Sequence, residues 1–165
     1  MANFSIRPAT VEDVPLIRRF IQQLAEYERL SHEANMSEET LRESLFGERR
    51  YAEVLLGHDG DIPVAFAVYF HNFSTFVGRP GLYLEDLFVV PEARGRGFGR
   101  AMLVELAKIA LERNCGRFEW AVLDWNEPAI GFYKKLGAVS MDDWTIFRVA
   151  GEALERLGNV TVKTC

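Results

Sequence analysis

The sequence has few of the residues that build disulfide frameworks, metal centres or membrane spans. Its two cysteines, Cys115 and Cys165, have no metal-ligand spacing, which predicts free thiols in a reducing cytoplasm. Its three histidines are scattered and form no ligand cluster, so we expect no metal. The longest apolar run, residues 64–70, is too short to cross a bilayer, and charged residues interrupt the N-terminus where a signal segment would lie. We therefore expect no membrane association.

The balance of acidic and basic residues indicates which kinds of molecule the chain can bind. The chain carries 24 acidic and 19 basic residues, which gives a net charge of −5 at pH 7. This balance argues against nucleic-acid binding and suits a cationic partner. The length of 165 residues and the apolar fraction of 48% predict a single domain over residues 1–165. We expect its core at about residues 3–150 and a C-terminal tail at residues 151–165.

Hydrophobic patterning predicts strands mixed with helices. Apolar runs predict strands over residues 4–7, 51–56, 62–70, 82–90, 118–123 and 144–149. Apolar residues at helical spacing predict helices that follow caps at Thr10 and Ser37, and helices over residues 99–113 and 128–136. The turn at residues 59–61 predicts a hairpin, and the glycine- and proline-containing residues 72–81 predict a loop. This order of elements favours an α/β layered domain.

The most informative segment joins a strand to a helix through a basic, glycine-rich turn. Successive backbone N–H groups in such a turn form a concave site for a phosphate or pyrophosphate at the helix N-terminus. Gly95 and Gly97 are followed by Arg100 where a dinucleotide fingerprint requires a third glycine, and no P-loop Gly-Lys-Ser/Thr is present. The pattern present is Arg94-x-x-Gly97-x-Gly99. A glycine-rich connection with scattered arginines is the alternative interpretation.

This pattern resembles the pyrophosphate loop of the GCN5-related N-acetyltransferase (GNAT) superfamily, whose members bind acetyl-CoA. Residues 4–10, 82–89 and 125–138 are similar to the first strand, the central strand and the late helix of that superfamily, in the same order. The resemblance implies an α/β fold of the GNAT type, which is a three-layer domain with a central mixed, mostly antiparallel sheet flanked by helices.

Within the superfamily, the chain resembles the branch of the diamine (spermidine/spermine) and thialysine N-acetyltransferases. The residues that carry this likeness are Leu24-Ala25-Glu26-Tyr27-Glu28, Tyr83-Leu84-Glu85-Asp86 and Asn126-Glu127-Pro128. The resemblance to this branch implies a homodimer, for which the aromatic segment 144–149 offers interface material.

The resemblance also implies roles for individual residues. Tyr133 stands where the family carries its general acid, and its phenol is protonated at neutral pH. Glu85 is the candidate base, which would take a proton from the amine directly or through water. The implied cofactor contacts are Leu87, Phe88, Val89, Arg94, Gly95, Arg96, Gly97, Phe98, Gly99, Arg100, Asn126 and Ala129. The implied substrate contacts are Tyr27, Glu28, Glu85 and Asp142.

Each of these roles has a structural alternative. Tyr133 can pack beside its apolar helix neighbours, and Asn126 can cap the helix that follows it, with or without binding the cofactor. Glu85 can be a solvated charge, although apolar neighbours in the strand favour partial desolvation. The acidic residues around Glu28 can form a solvated helix face, or they can attract a cationic substrate.

The chain departs from the diamine branch before the central strand. Residues 72–76 contain no acidic residue where diamine enzymes carry one, and residues 141–144 look shorter than in the family. We therefore expect short, lysine-like amines to be better substrates than long polyamines. We predict a cytoplasmic, acetyl-CoA-dependent N-acetyltransferase that acts on the primary amine of a small cationic molecule. The alternatives are a protein lysine or N-terminal acetyltransferase, and a non-catalytic acyl-CoA-binding regulatory module.

Overall fold

The computed structural model describes residues 3–160. The contacts between these residues divide them into two compact units, one ending at Ala121 and the other beginning at Val122. The expectation of a single domain over residues 1–165 stays a prediction. Within the described range, no helix is both long and apolar enough to cross a membrane. Cys165 and the end of the expected C-terminal tail lie outside the described residues.

The first unit is a five-stranded mixed sheet with helices on both faces. Its elements are β1 (Phe4–Pro8), α1 (Val14–Tyr27), α2 (Glu38–Phe46), β2 (Glu53–Asp59), β3 (Ile62–Ser74), β4 (Arg79–Val89), α3 (Phe98–Glu112) and β5 (Arg117–Trp120), with short 3-10 turns at Val11–Asp13 and Pro91–Ala93. The strands follow their chain order across the sheet, and each pair is antiparallel except β4 and β5, which run parallel.

The predicted helix caps are present. The Thr10 backbone N–H donates to the Asp13 carboxylate at 2.8 Å, which completes a capping box just before α1. Ser37 Oγ accepts from the Thr40 backbone N–H at 3.1 Å and caps α2. These side chains satisfy backbone donors that lack a partner in the first turn of a helix. The Ser37 cap therefore marks the start of α2, and the Thr10–Asp13 box marks the start of the 3-10 turn that leads into α1.

One face of the sheet carries the core under α1 and α2. Three stacked or tilted rings form its centre: Phe20 of α1 lies 5.3 Å from Phe66 of β3 and 6.3 Å from Phe88 of β4, between ring centroids. Each ring is almost fully buried, and burial of one such side chain contributes about 1.5–3 kcal/mol. This cluster anchors the C-terminal end of β4, which belongs to the candidate site.

The opposite face of the sheet packs under α3. Leu55, Ala65 and Ala67 are buried, and they alternate along β2 and β3 with residues that face the first core. The apolar face predicted for α3 is confirmed, because Met102, Leu103, Leu106 and Ala110 are all buried. The helix contacts β2, β3, β4 and β5. The predicted arrangement of a mixed, mostly antiparallel sheet between helices is therefore confirmed.

The second unit differs from the sequence prediction at two places. It contains α4 (Glu127–Lys135), close to the predicted helix, and α5 (Gly151–Gly158), where we expected only a tail. The predicted strand at residues 144–149 is wrong: no strand forms there among the described residues. Aromatic and β-branched residues favour a strand only when a neighbouring strand pairs with their backbone groups.

The predicted loop at residues 72–81 is also wrong over most of its length. Strand β3 continues to Ser74 and β4 begins at Arg79, so only the tip at residues 75–78 forms a turn. Phe73 pairs with Pro80 and Asn72 with Gly81 across the two strands. Gly81 lies between β3 and β5, where an added Cβ would clash with the Asn72 side-chain oxygen, so the close approach of the neighbouring strands requires glycine here.

Candidate functional site

Strand β4 has one edge that β5 covers only in part. β3 pairs with β4 from Arg79 to Val89, whereas β5 pairs with β4 only over the four residues 81–84. The Val90 N–H donates to the Val64 carbonyl at 2.9 Å, which fixes the alternation of the antiparallel ladder. The N–H and C=O groups of Leu87 and Val89 therefore point away from β3. They form a row of backbone donors and acceptors, which we call the open edge of β4.

A β-bulge lies where the open edge begins. Val68 of β3 pairs with Asp86, but the next residue, Tyr69, pairs with Leu84, so Glu85 is an extra residue in β4. Such a bulge bends its strand and increases the local twist. Glu85 is exposed, so the partial desolvation expected for this carboxylate is wrong. Its sequence neighbour Asp86 is the partly buried carboxyl.

Three carboxyl groups lie close together beside the bulge. Burial, and then the charges of Glu85 and Glu28, raise the pKa of Asp86 to about 7. Burial also raises the pKa of Glu28, which follows the last residue of α1. Glu28 and Glu85 thus each act electrostatically on Asp86, and we call these three residues the carboxyl cluster; the substrate-binding roles that the resemblance implies for Glu28 and Glu85 stay predictions. Three carboxyls crowded in this way attract a cation, because a positive charge relieves their mutual repulsion.

The glycine-rich turn has the conformation of an anion-binding loop. Gly95 and Gly97 have φ values of +74° and +86°, which side chains rarely adopt, and a Cβ added to either would meet open space. The Ala101 N–H is bonded to the Gly97 carbonyl at 3.0 Å, so the N–H groups of residues 98–100 lie at the open N-terminal end of α3. A phosphate can approach this backbone closely because no Cβ covers it.

The three arginines of the turn have different environments. The Arg96 guanidinium pairs with the Asp59 carboxylate at 2.7 Å and lies 4.6 Å from the centre of the Phe98 ring. Arg94 donates from Nε to the Val89 carbonyl at 2.9 Å and therefore reaches the open edge of β4. Arg100 is exposed on the first turn of α3. The sequence suggests three equivalent phosphate contacts, whereas the structure engages two of these arginines in contacts with the protein.

The remaining predicted site residues lie in the second unit. Asn126 is buried, and its side-chain oxygen accepts from the Ala129 N–H at 3.3 Å, so it caps α4. Tyr133 is half-buried on α4, with its ring 5.4 Å from the Phe132 ring. Asp142 is exposed and accepts from the Ser140 hydroxyl at 3.1 Å. The capping role of Asn126 is thus observed, while the chemical roles of Tyr133 and Asp142 stay predictions.

Sequence reasoning missed two residues of the site. Asp86 stands next to the chosen Glu85 beside the bulge, and it is the less exposed of the two carboxyls. Asp59 ends β2, and only the sheet brings it to Arg96 of the glycine-rich turn. The contact between Asp59 and Arg96 does not follow from spacing along the chain, because the two residues are far apart in sequence. Within the described residues, no group of histidine, cysteine and acidic side chains could hold a metal ion.

Comparison with known proteins points to one family. The sequence model of the acetyltransferase (GNAT) family matches residues 18–138. A thialysine N-epsilon-acetyltransferase of Mus musculus is 39% identical over 168 residues, covering 95% of this chain and 98% of that protein. An L-ornithine N5-acetyltransferase of Arabidopsis thaliana is 30% identical over 95% of this chain and 89% of its own length.

A solved structure has the same fold. An integron cassette protein from the mobile metagenome of V. cholerae superposes with a TM-score of 0.81 at 28% identity, covering 97% of this chain and all of that chain. The predicted resemblance to the branch of diamine and thialysine acetyltransferases, and the predicted fold class, are both confirmed.

Proposed function

The chain belongs to the acetyltransferase (GNAT) family and is an acetyltransferase that acts on an amine, and from this premise we propose that it transfers the acetyl group of acetyl-CoA to the primary amine of a small cationic substrate. The observation that carries the proposal is the arrangement of one unit. An anion-binding helix end, an open strand edge and a crowded carboxyl cluster follow one another along β4 and the turn after it.

The residues present fit acetyl-CoA. The left-handed glycines at positions 95 and 97 leave backbone N–H groups accessible to a pyrophosphate. The open edge of β4 offers backbone groups of Leu87 and Val89 to the amides of a pantetheine arm, as a neighbouring strand would. An N–H in this stretch is also our candidate donor to the thioester oxygen. Acetyl-CoA supplies the activated thioester, and the chain binds it, orients it and handles the protons.

The acceptor side favours a cationic amine of short length. Glu28 and Glu85 both repel a negative charge on Asp86, and a positive charge near these carboxyls lowers that repulsion. Two of the relatives are a thialysine and an L-ornithine acetyltransferase, and both substrates are amino acids with a terminal amine. These relatives support a lysine-like or ornithine-like acceptor over a long polyamine. They also support a small molecule over a protein lysine.

The proposal assigns proton transfer to three side chains, Glu85, Asp86 and Tyr133. An ammonium group has a pKa of about 10 and must lose a proton before it attacks a thioester. Glu85 is our candidate base, and Asp86, with a pKa raised to about 7, is a second acceptor matched to neutral pH. Tyr133 remains our candidate for the acid that protonates the leaving thiolate, on the strength of the resemblance.

A panel of amines in a free-thiol release assay tests the proposed activity. We expect release of free CoA thiol when thialysine, ornithine or a lysine analogue is the acceptor. The kcat/KM for these amines should be higher than for spermidine or spermine. Glu85→Gln should lower kcat and move the pH–rate profile, whereas Glu28→Gln should mainly raise the KM of the amine. Acetylation of protein lysines without acetylation of any free amine would contradict the small-molecule proposal. Acyl-CoA binding without any transfer would favour a regulatory module.

Two further parts of the proposal rest on the resemblance. We propose a homodimer, which sedimentation at micromolar concentration tests: a monomer alone would contradict it. We also propose a cytoplasmic location, to be checked by fractionation of cells that express the full chain.

A further inference from the structure

Arg94 of the glycine-rich turn contacts both the open edge of β4 and Tyr27, the residue before Glu28. Its Nε donates to the Val89 carbonyl at 2.9 Å. Its guanidinium carbon lies 4.5 Å from the centre of the Tyr27 ring and 5.5 Å from that of the Phe88 ring. Tyr27 ends α1 and precedes Glu28 of the carboxyl cluster. Val89 belongs to the open edge of β4.

These contacts restrict how the guanidinium can bind a phosphate, because its Nε donor is already used and only the Nη edge is left for an anion. A guanidinium binds an anion best through two parallel N–H donors at a free edge. In Arg94, the Nε donor is engaged with a carbonyl and the planar face lies against aromatic rings. A cation stacked on rings is attracted by their negative faces, by about 0.5–2 kcal/mol for each close contact. The side chain is therefore held by the protein itself.

The bond to Val89 also limits the open edge. Leu87 and Val89 offer two N–H and two C=O groups on the side away from β3. Because Arg94 occupies the Val89 carbonyl, the edge presents the two groups of Leu87 and the N–H of Val89 to an incoming chain. An arm that binds as an added strand would then end its pairing at Val89. The carboxyl cluster beside Glu85 lies at the other end of this edge.

We propose that Arg94 is a positioning residue for the acceptor side, which locks the end of α1 against the end of β4 instead of binding the pyrophosphate. This inference rests on the proposed acetyl transfer and extends it. With Arg94 in place, Tyr27 and the adjacent Glu28 are fixed relative to the strand along which the thioester would lie. Small displacements of an acceptor amine from a thioester lower the rate strongly, so such a lock affects amine use.

The test compares Arg94→Lys with Arg94→Ala, and uses Arg100→Lys and Arg100→Ala as the matched pair. Lysine keeps the positive charge but lacks the Nε donor and the planar face. We expect both Arg94 variants to raise the KM of the amine by about tenfold, with a change of less than about twofold in the Kd of acetyl-CoA. Arg100→Ala should instead weaken acetyl-CoA binding and leave the KM of the amine unchanged.

A double-mutant cycle tests the contact with Tyr27. Tyr27→Leu removes the ring and should raise the KM of the amine in the wild-type background. In the Arg94→Lys background, the same change should add less than about twofold, because the contact is already lost. Tyr27→Phe, which keeps the ring, should retain the amine KM of the parent protein more closely than Tyr27→Leu does.

Two results would overturn the proposal. One is an Arg94→Lys variant with the amine KM of the wild type, together with weaker acetyl-CoA binding in Arg94→Ala. A residue that binds a phosphate of the cofactor through its charge would behave in this way. The other is full additivity of the Tyr27 and Arg94 changes. Hydrogen exchange separates this failure from that of the proposed function, because it requires no activity. Arg94→Lys should increase exchange at residues 24–28 and Arg100→Lys should not; equal exchange in both variants would contradict the lock even if no amine is acetylated.

Discussion

Replacing Asp86 by Asn should stabilise the fold at about pH 8 and do so far less at about pH 5. Burial and the charges of Glu85 and Glu28 raise the pKa of Asp86 from 3.8 to about 7. In the unfolded chain the carboxyl loses its proton near its ordinary pKa, whereas in the folded chain it holds the proton until about pH 7. Between these values the unfolded state binds fewer protons, so the stability of the wild type falls as the pH rises.

The size of the effect follows from the shift. About three pKa units, at about 1.4 kcal/mol per unit, correspond to a penalty of about 4 kcal/mol for ionised Asp86 at alkaline pH. At about pH 5 only about a third of that penalty is present, because the folded carboxyl is still protonated. The asparagine carries no charge at either pH. The gain in free energy of unfolding should therefore be larger at about pH 8 than at about pH 5, by about 2–3 kcal/mol.

Urea denaturation followed by far-ultraviolet circular dichroism, at both pH values, measures this difference. Comparison of variant with wild type at each pH cancels the titrating groups that do not interact with Asp86, and Glu28 and Glu85 titrate as part of the same coupled cluster. Asp61→Asn serves as the control, because it removes the same charge from an exposed position in the β2–β3 turn. The control should show no gain that depends on pH. An Asp86→Asn gain that is the same at both pH values would refute the assignment of a raised pKa to this carboxyl.

Three further changes test other parts of the site. Asp59→Asn removes the partner of Arg96 and should tighten acetyl-CoA binding about two- to fivefold at low salt, by calorimetry; unchanged affinity would mean that Arg96 does not reach the ligand. Gly97→Ala places a side chain at φ +86°, which should lower the free energy of unfolding by about 1–2 kcal/mol and weaken acetyl-CoA binding. The control Gly99→Ala should retain the stability of the wild type. Tyr133→Phe should bind acetyl-CoA normally but lower kcat by about 10²–10⁴-fold, and wild-type turnover would assign it a structural role.

The elements that the sequence predicted well are those whose signals are local. The cap at Ser37 and the apolar face of α3 depend on residues three or four positions apart, so they can be identified without the rest of the chain. The strand predicted at residues 144–149 failed because the pairing that makes a strand is not local. The predicted length of the loop between β3 and β4 was too large for the same reason. The two strands pair through Pro80 and Gly81, which local signals assign to a loop.

The sequence by itself determined the family, the position of the glycine-rich turn proposed to bind the pyrophosphate, and the candidate acidic residues at the end of α1 and in β4. A glycine-rich turn before a helix can be identified from consecutive residues, because the backbone conformation of the turn and the start of the helix are local properties. Only the tertiary structure decided which carboxyl is buried and which arginines are engaged. Asp86 is less exposed than Glu85 beside the bulge, Asp59 of β2 pairs with Arg96, and Arg94 contacts Tyr27 of another element. Burial and charge pairing depend on distances in space, and the order of residues along the chain does not fix those distances.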